Sequence, residues 1–589
     1  MNGIPRAVDG DAAARSIIGA VDTTRPREGL PVGEQPSLPR DRITARRAIL
    51  PLCAVLAVAV IPPVVMSGLT GSLGIAHNDD WSFIRSTMWM HKTGELRLIG
   101  WAQMSAVGLF WLGQPVLAMH ASVTGLQVLT VVLTAVLVAA ASSLGTRLRG
   151  RRTGVVAAAM TVSVPLIAPL TVTFMTDLPA LALMMAALAV GLAGISVAAV
   201  RPALVAAGFA LALAAVTIRE TAAPGAVGLA AALLWRAYAR RSRRDLAFAI
   251  GAGTAFGCAA LAFVIWRHQL PGDIAYAATG GGALSSLAHA VVTLGVFTLP
   301  GCLLPVRVAA GVRARAGGGL AGALVSIAAL GGGLNRALVG NYLEFPAPLG
   351  AELRGYRPQF LPGALWSVLA VIGAVGAVGL GVRLADLCSW ARERLRADGA
   401  RDGVLAWIAL AATAAAAIAL VLAASFSGKT YDRYLLPVAV PLSLSLLANA
   451  RPWCGAGKRV HGWQSVAAAS LALSLAFGWA LTLTIDAYDG ARWRAGNATV
   501  ALGARPNDVD AGPEWVGYHQ AGDAHPVSHD PGAVDPIWVR RLRAHPCWFV
   551  SLGPVAAPDT RAVGRMAWRD GLGRRRDFVI YRSVRPACR

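Results

Sequence analysis

Charge is scarce in this 589-residue chain. Only 14% of its residues are Asp, Glu, Lys or Arg against 56% hydrophobic, and lysine is confined to Lys92, Lys429 and Lys458. A soluble protein of this length needs a charged surface on each of its domains, and a mean hydropathy of +0.56 leaves none to cover them. Cysteine is sparse and unpatterned: the seven residues make no CxxC or other metal-ligand spacing, which excludes a zinc finger and a dithiol redox motif. The glycine triplets at 280–282 and 331–333 lack both a strand before them and the Lys-Ser/Thr that a phosphate loop requires. With no nucleotide-binding domain in the sequence, an ATP-driven pump is not the expected reading. No stretch reads as a cleavable signal peptide.

What the chain has instead is a series of apolar runs of about 17–25 residues, each long enough to cross roughly 30 Å of hydrocarbon as a helix. Crossings are expected at about 48–70, 122–143, 153–170, 179–199 and 202–217, a sixth ending in the basic run Arg236–Asp245, and seven more between about 246 and 485. The expected fold is an all-α polytopic membrane protein of about thirteen helices with a small C-terminal extracytoplasmic α/β domain. The net charge of +23 sits largely in short arginine-bearing segments between the runs, at Arg147–Arg152, Arg236–Arg244, Arg307–Arg315, Arg383–Arg401 and Arg451–Arg459. That is the pattern of cytoplasmic loops, not of a nucleic-acid-binding face.

Strict alternation then divides the chain. Residues 1–44 form a disordered cytoplasmic tail, 45–485 the membrane domain, and 486–589 an extracytoplasmic domain in which CWFVSLGP and DFVIYRS read as strands. Cys547 and Cys588 in that polar tail are candidates for a disulfide, although spacing alone fixes no geometry. The segments 267–287 and 336–361 are outer loops long enough to act as lids.

The same alternation sends HNDDW, His77 to Trp81, to the outer face just beyond the first crossing. Ionisable groups at one face of a mostly apolar chain are candidates for chemistry. Trp81 to about His120 follows as an interfacial helix with mixed aromatic and charged residues. TFMTDLP brings Asp177 to the same side, TIRETAAP brings Arg219 and Glu220, and SGKTYDRYLLP brings Lys429, Asp432 and Arg433. A hydroxyl is a poor nucleophile at neutral pH and needs a carboxylate to take its proton, which Asp79 can do, with Asp80 and Asp177 beside it. An anionic group needs cations instead, and Arg219, Lys429 and Arg433 are the outward ones. Plainer roles compete. Asn78 or Asp79 can N-cap the interfacial helix, and Asp177 can cap the next one ahead of Pro179. Arg219 with Glu220 can form a local pair, Lys429 and Arg433 can snorkel, and His77 and His91 read as interfacial polar residues rather than metal ligands.

HNDDW, the interfacial helix, FMTDLP and DRYLLP, in that order and on one side, resemble the GT-C superfamily of membrane glycosyltransferases over roughly residues 45–450, in its protein mannosyltransferase and aminoarabinose transferase branch. The resemblance implies transfer of a sugar from a polyprenyl-phosphate donor, with inversion, on the outer face of the bacterial cytoplasmic membrane. It also implies Asp79 as base. Many relatives carry Glu where this chain has Asp80, which keeps the charge and shortens the reach. No metal or other cofactor is implied, the lipid-linked sugar being a substrate, and the acceptor is a cell-wall polysaccharide, a lipid or a protein. The alternatives are a secondary transporter or flippase of a cell-envelope precursor, which would place its acids near the bilayer midplane, and a scaffold that binds an envelope partner through its tail.

Overall fold

A computed structural model describes residues 40–101, 104–271, 283–306, 308–345, 353, 356, 358–397, 401–426, 430–450, 458–520, 522–525, 535–554 and 559–588. The chain divides into two units, 1–47 and 48–589. Of the first, only the opening turns of α1 (Arg40–Thr70) are described. The second unit continues with α2 (Asp80–Thr93), α3 (Val107–Met119), α4 (Val123–Arg149), α5 (Arg151–Val162), α6 (Ile167–Thr171), α7 (Asp177–Gly194), α8 (Pro202–Ile218), α9 (Pro224–Arg240) and α10 (Arg243–Arg267). After these come α11 (Ala283–Cys302), α12 (Val312–Leu330), α13 (Gly363–Ala397), α14 (Asp402–Phe426), α15 (Leu436–Ser445) and α16 (Lys458–Ala501).

The fold is an all-α multi-pass membrane bundle with a small C-terminal sheet. Among the described residues, α1, α4, α7, α10, α11, α13, α14 and α16 are the eight helices long and apolar enough to cross a membrane. The other expected crossings correspond to shorter, broken or more polar helices: α5 with α6, α8, α9, α12 and α15. The expected run at 153–170 is interrupted because Pro165 has no N–H to donate and cannot continue α5. Trp81–His120 is two helices, not one, since Gly94 takes the left-handed conformation and ends α2.

Burial grades the helices. The apolar stretch of α7 is 78% buried, whereas that of α10 is 6% buried and faces outward along its length. In lipid the helices gain nothing from hiding apolar surface, so close packing of small residues must hold them together. Gly208 of α8 rests on Gly191 of α7 so tightly that a Cβ at 208 would stand 2.7 Å from the Gly191 Cα.

Helix α16 runs past Ile485 to Ala501 before the polar tail begins. The tail adds α17 (Pro513–His519), α18 (Ile537–Arg541) and a four-stranded sheet. Its strands are β1 (Val509–Asp510), β2 (Trp548–Ser551), β3 (Thr560–Arg569) and β4 (Arg575–Ser583), in the order β1-β2-β4-β3. Strand β1 is parallel to β2 and the other pairs are antiparallel. The strands expected from CWFVSLGP and DFVIYRS are β2 and β4. Cys547 and Cys588 are bonded, tying the start of β2 to the chain beyond β4 across 41 residues. Closing a loop of that length stabilises a small domain by about 2–4 kcal/mol. Cys547→Ala is therefore expected to speed proteolysis of the tail beyond residue 501 while leaving the membrane fragment intact. Equal cleavage of variant and wild type would show that the bridge carries no such load.

Candidate active site

The site begins where α1 stops. Gly71 and Gly74 turn the chain at φ +72° and +88°, and Asn78 takes φ +47°, a left-handed position that Asn tolerates better than most residues. The turn sends the two neighbouring carboxylates in different directions. Asp80, the first residue of α2, is fully buried; its oxygens accept the N–H of His77 at 2.6 Å and that of Phe174 at 3.0 Å. Burial pushes its pKa up to about 7. Its bonds tie the HNDDW turn to the segment leading into α7. Asp79 keeps 26% of its side chain exposed. One oxygen accepts Trp101 Nε1 at 2.8 Å and the other Arg433 Nη2 at 3.0 Å. It stands at the N-cap of α2 but makes no side-chain capping bond.

Asp177 opens α7, with one oxygen 2.9 Å from Arg219 Nη1 and the other 3.9 Å from Arg433 Nε. Arg219, where α8 ends, also donates to Thr176 Oγ1 at 2.8 Å and lies 4.7 Å over the Tyr434 ring. Arg433 sits in a 3₁₀ turn (Asp432–Leu435) ahead of α15, flanked by the rings of Tyr431 and Tyr434. Both guanidiniums are 3% exposed. Asp79, Arg433, Asp177 and Arg219 thus form a line of alternating charge, and Arg433 Nη1 has no hydrogen-bond acceptor among the described residues. Such an arrangement can hold an anion at its guanidiniums beside a carboxylate that solvent still reaches.

Of the residues singled out in the sequence, Asp79, Asp177, Arg219 and Arg433 come together, Asp80 lies beneath them facing away, and Lys429 lies outside the described residues. Arg219 and Glu220 do not pair with each other, because Glu220 accepts from Ser105 Oγ instead. Asp432 spends its carboxylate on the N–H groups of Leu343 and Arg433 and so fixes the turn. Most of the first expected lid, 272–282, and part of the second, including Arg354 and Arg357, are likewise outside the described residues. Sequence reasoning missed Trp101 and Tyr434. For Tyr434 a signal existed, the i, i+3 tyrosines of YDRY, which place two rings around Arg433.

The chain after Ile485 supports the turn from the other side. His77 Nδ1 lies 2.8 Å from Asp489 Oδ2, and its Nε2 lies 3.0 Å from the carbonyl of Ser72. Both partners accept only, so both ring nitrogens donate and the ring is an imidazolium. Burial alone would lower its pKa; the hydrogen bond and charge of Asp489 outweigh that and hold it at about 10. With both nitrogens committed His77 cannot ligate a metal, and His91 stands exposed on α2. No group of metal-ligating side chains occurs among the described residues. Arg492 bridges Asp489 at 3.1 Å to Glu514 of α17 at 2.5 Å. Gly517 packs on the Trp81 ring with no room for a Cβ, and Arg541 lies 4.3 Å over Trp101 while donating to the Gly100 carbonyl at 3.0 Å.

The sequence matches no protein-family model and no curated protein. Among solved structures the chain is similar to ArnT from Cupriavidus metallidurans in the apo state, with TM-score 0.41, 15% identity, and 92% of this chain and 99% of that one covered. The same protein bound to undecaprenyl phosphate gives TM-score 0.37 at 15% identity over 90% and 97% of the two chains. The Archaeoglobus fulgidus oligosaccharyltransferase in complex with Zn and sulfate gives 0.37 at 12% identity over 81% and 58%. At such scores no residue can be carried across by superposition, so the roles of the site residues rest on their own geometry.

The imidazolium yields a pH dependence. A folded-state pKa of about 10 against an ordinary 6.5 means that the stabilisation is fully present below pH 6.5 and is lost as pH rises through 10. Melting temperature is expected to fall across that window in wild type and to fall less in His77→Gln. Parallel curves would remove His77 as the titrating group.

Proposed function

We propose that this chain is a glycosyltransferase of the bacterial cytoplasmic membrane. It moves a sugar from a polyprenyl-phosphate-linked donor to an acceptor hydroxyl on the outer face. The amino terminus lies in the cytoplasm and the C-terminal domain outside it. The observation that carries the reading is Asp79, a carboxylate that solvent reaches, fixed by Trp101 and Arg433 at the edge of two buried guanidiniums.

The acceptor hydroxyl binds against Asp79 and gives up its proton to that carboxylate as its oxygen attacks the anomeric carbon. The bond from that carbon to the phosphate oxygen breaks with its electron pair going to phosphate, so one displacement inverts the centre. The leaving phosphate gains negative charge and needs cations, not an acid. Arg433, with Nη1 available, meets it first. Arg219 stands behind, and Lys429 is the third cation of the set. Asp177 keeps the guanidiniums apart and oriented, and Asp80 acts through the turn as a positioning residue rather than on substrate. Which sugar moves, and whether the acceptor is a polysaccharide, a lipid or a protein, depends on loops around this centre.

Transfer of radiolabelled sugar from polyprenyl-phosphate donors to membrane acceptors tests the reading. Asp79→Asn keeps the size but takes no proton, and its single carboxamide oxygen can accept from only one of Trp101 and Arg433; it is expected to lower transfer about 10²–10⁴-fold. Equal labelling would remove Asp79 from the mechanism, and no transfer by wild type across a donor panel would favour the flippase reading. Arg433→Lys keeps the charge but loses the planar fork. It is expected to weaken transfer by an order of magnitude or more, whereas a variant as active as wild type would show that a point charge suffices.

A further inference from the structure

A second polar centre lies at the other end of the bundle. The chain running from Gln127, whose carboxamide bonds Gly74 and Ile75 beside the HNDDW turn, to Arg149 at the end of α4 covers about 33 Å at 1.5 Å per residue. There a cavity of about 250 Å³ opens between the end of α4, the last turns of α13 and the start of α14. Arg147, Arg149, Arg394 and Arg401 line it, with Trp390 as an apolar wall and Asn449 at its floor.

Asn449 distinguishes this cavity from an ordinary basic loop. It is 1% exposed, and its Oδ1 accepts Arg383 Nη2 at 3.3 Å while the same guanidinium holds the Leu446 carbonyl at 2.9 Å. That bond fixes the carboxamide orientation and leaves Nδ2 as the free end of a side chain that lines the cavity. Nδ2 is buried with no hydrogen-bond partner among the described residues. A buried donor without an acceptor is unfavourable, so a ligand that accepts from it recovers that cost. Among the described residues, the charged groups lining the cavity are all cations. Asp402, at the start of α14, spends Oδ1 on the Val197 N–H, and Glu393 on α13 is exposed.

We propose that this cavity binds a phosphate group, which takes several charge-assisted hydrogen bonds from arginine at once and accepts the Asn449 donor as well. The volume suits a phosphate with a small substituent. Two sources share this chemistry, a phospholipid headgroup at the membrane face and a soluble phosphate. The site is separate from the Asp79 centre and does not depend on the transfer reading.

The test uses the full chain. Its melting temperature is followed in detergent during titration with inorganic phosphate against potassium chloride of equal ionic strength. It is followed also in nanodiscs of phosphatidylcholine alone or with one-fifth phosphatidylglycerol. Arg394→Gln/Arg401→Gln removes two cations that reach solvent, and Asn449→Asp replaces the buried donor with a carboxylate. A saturable rise of about 2 °C or more with phosphate, absent from both variants, identifies a soluble phosphate ligand. The same rise only with phosphatidylglycerol, again absent from the variants, identifies a headgroup. Should Asn449→Asp fail to fold, the double arginine variant, checked for a wild-type melting temperature without ligand, decides alone. No rise in either medium, an equal rise with chloride, or a rise retained in the double arginine variant overturns the proposal.

Discussion

Two guanidiniums buried at the rim of a membrane bundle set the terms for everything around them. An unpaired charge in that position costs several kcal/mol, and pairing recovers the cost only when the partners are held in place. Asp177 answers Arg219, and Asp79 answers Arg433. Each acid comes from a different loop, so the bundle can close only when α2, α7, α8 and the turn before α15 converge on one point. The charge line is thus a packing constraint as well as the proposed chemical centre. The tyrosines of YDRY add apolar and cation–π cover around the cations without competing for the carboxylates.

That centre is not self-supporting. Asp79 is oriented by Trp101, and Trp101 is gripped by Arg541 of the tail; the turn that presents Asp79 is pinned through His77 to Asp489 and onward by Arg492 to Glu514. The C-terminal segment therefore supports the site even though none of its described residues contacts the charge line. This accounts for the extension of α16. Its residues beyond Ile485 are too polar for hydrocarbon, yet the helix continues because Asp489 and Arg492 find buried partners in the HNDDW turn and on α17.

Legibility from sequence followed the same division. HNDDW, FMTDLP and DRYLLP could be found because charge beside apolar runs is conspicuous, and alternation of spans placed them on one side. Which of Asp79 and Asp80 faces the open centre could not be read, since it is decided by the backbone at Asn78 and by the N–H of Phe174, 94 residues away. Trp101 carried no signal, being one aromatic among many near an interface. The break at Pro165 was readable in principle, but hydropathy averaged over a window conceals a lost donor, and the same averaging stopped α16 at the point where its polar partners begin.

Adjacent aspartates with opposite surroundings offer the sharpest view of how the fold assigns chemistry. Asp80 receives two backbone N–H groups in a dry site, which satisfies its oxygens and leaves it no access to a reactant. Asp79 receives a side-chain donor on each oxygen and keeps a path to solvent. Swapping those environments would take only a one-residue slip of the turn, and such a slip would break the Phe174 bond, unseat His77 from Asp489 and strip Arg433 of its partner together. The register of HNDDW is therefore guarded by every buried polar contact it makes, and the rigidity that the proposed proton acceptor needs follows from the same bonds that allow the charges to be buried at all.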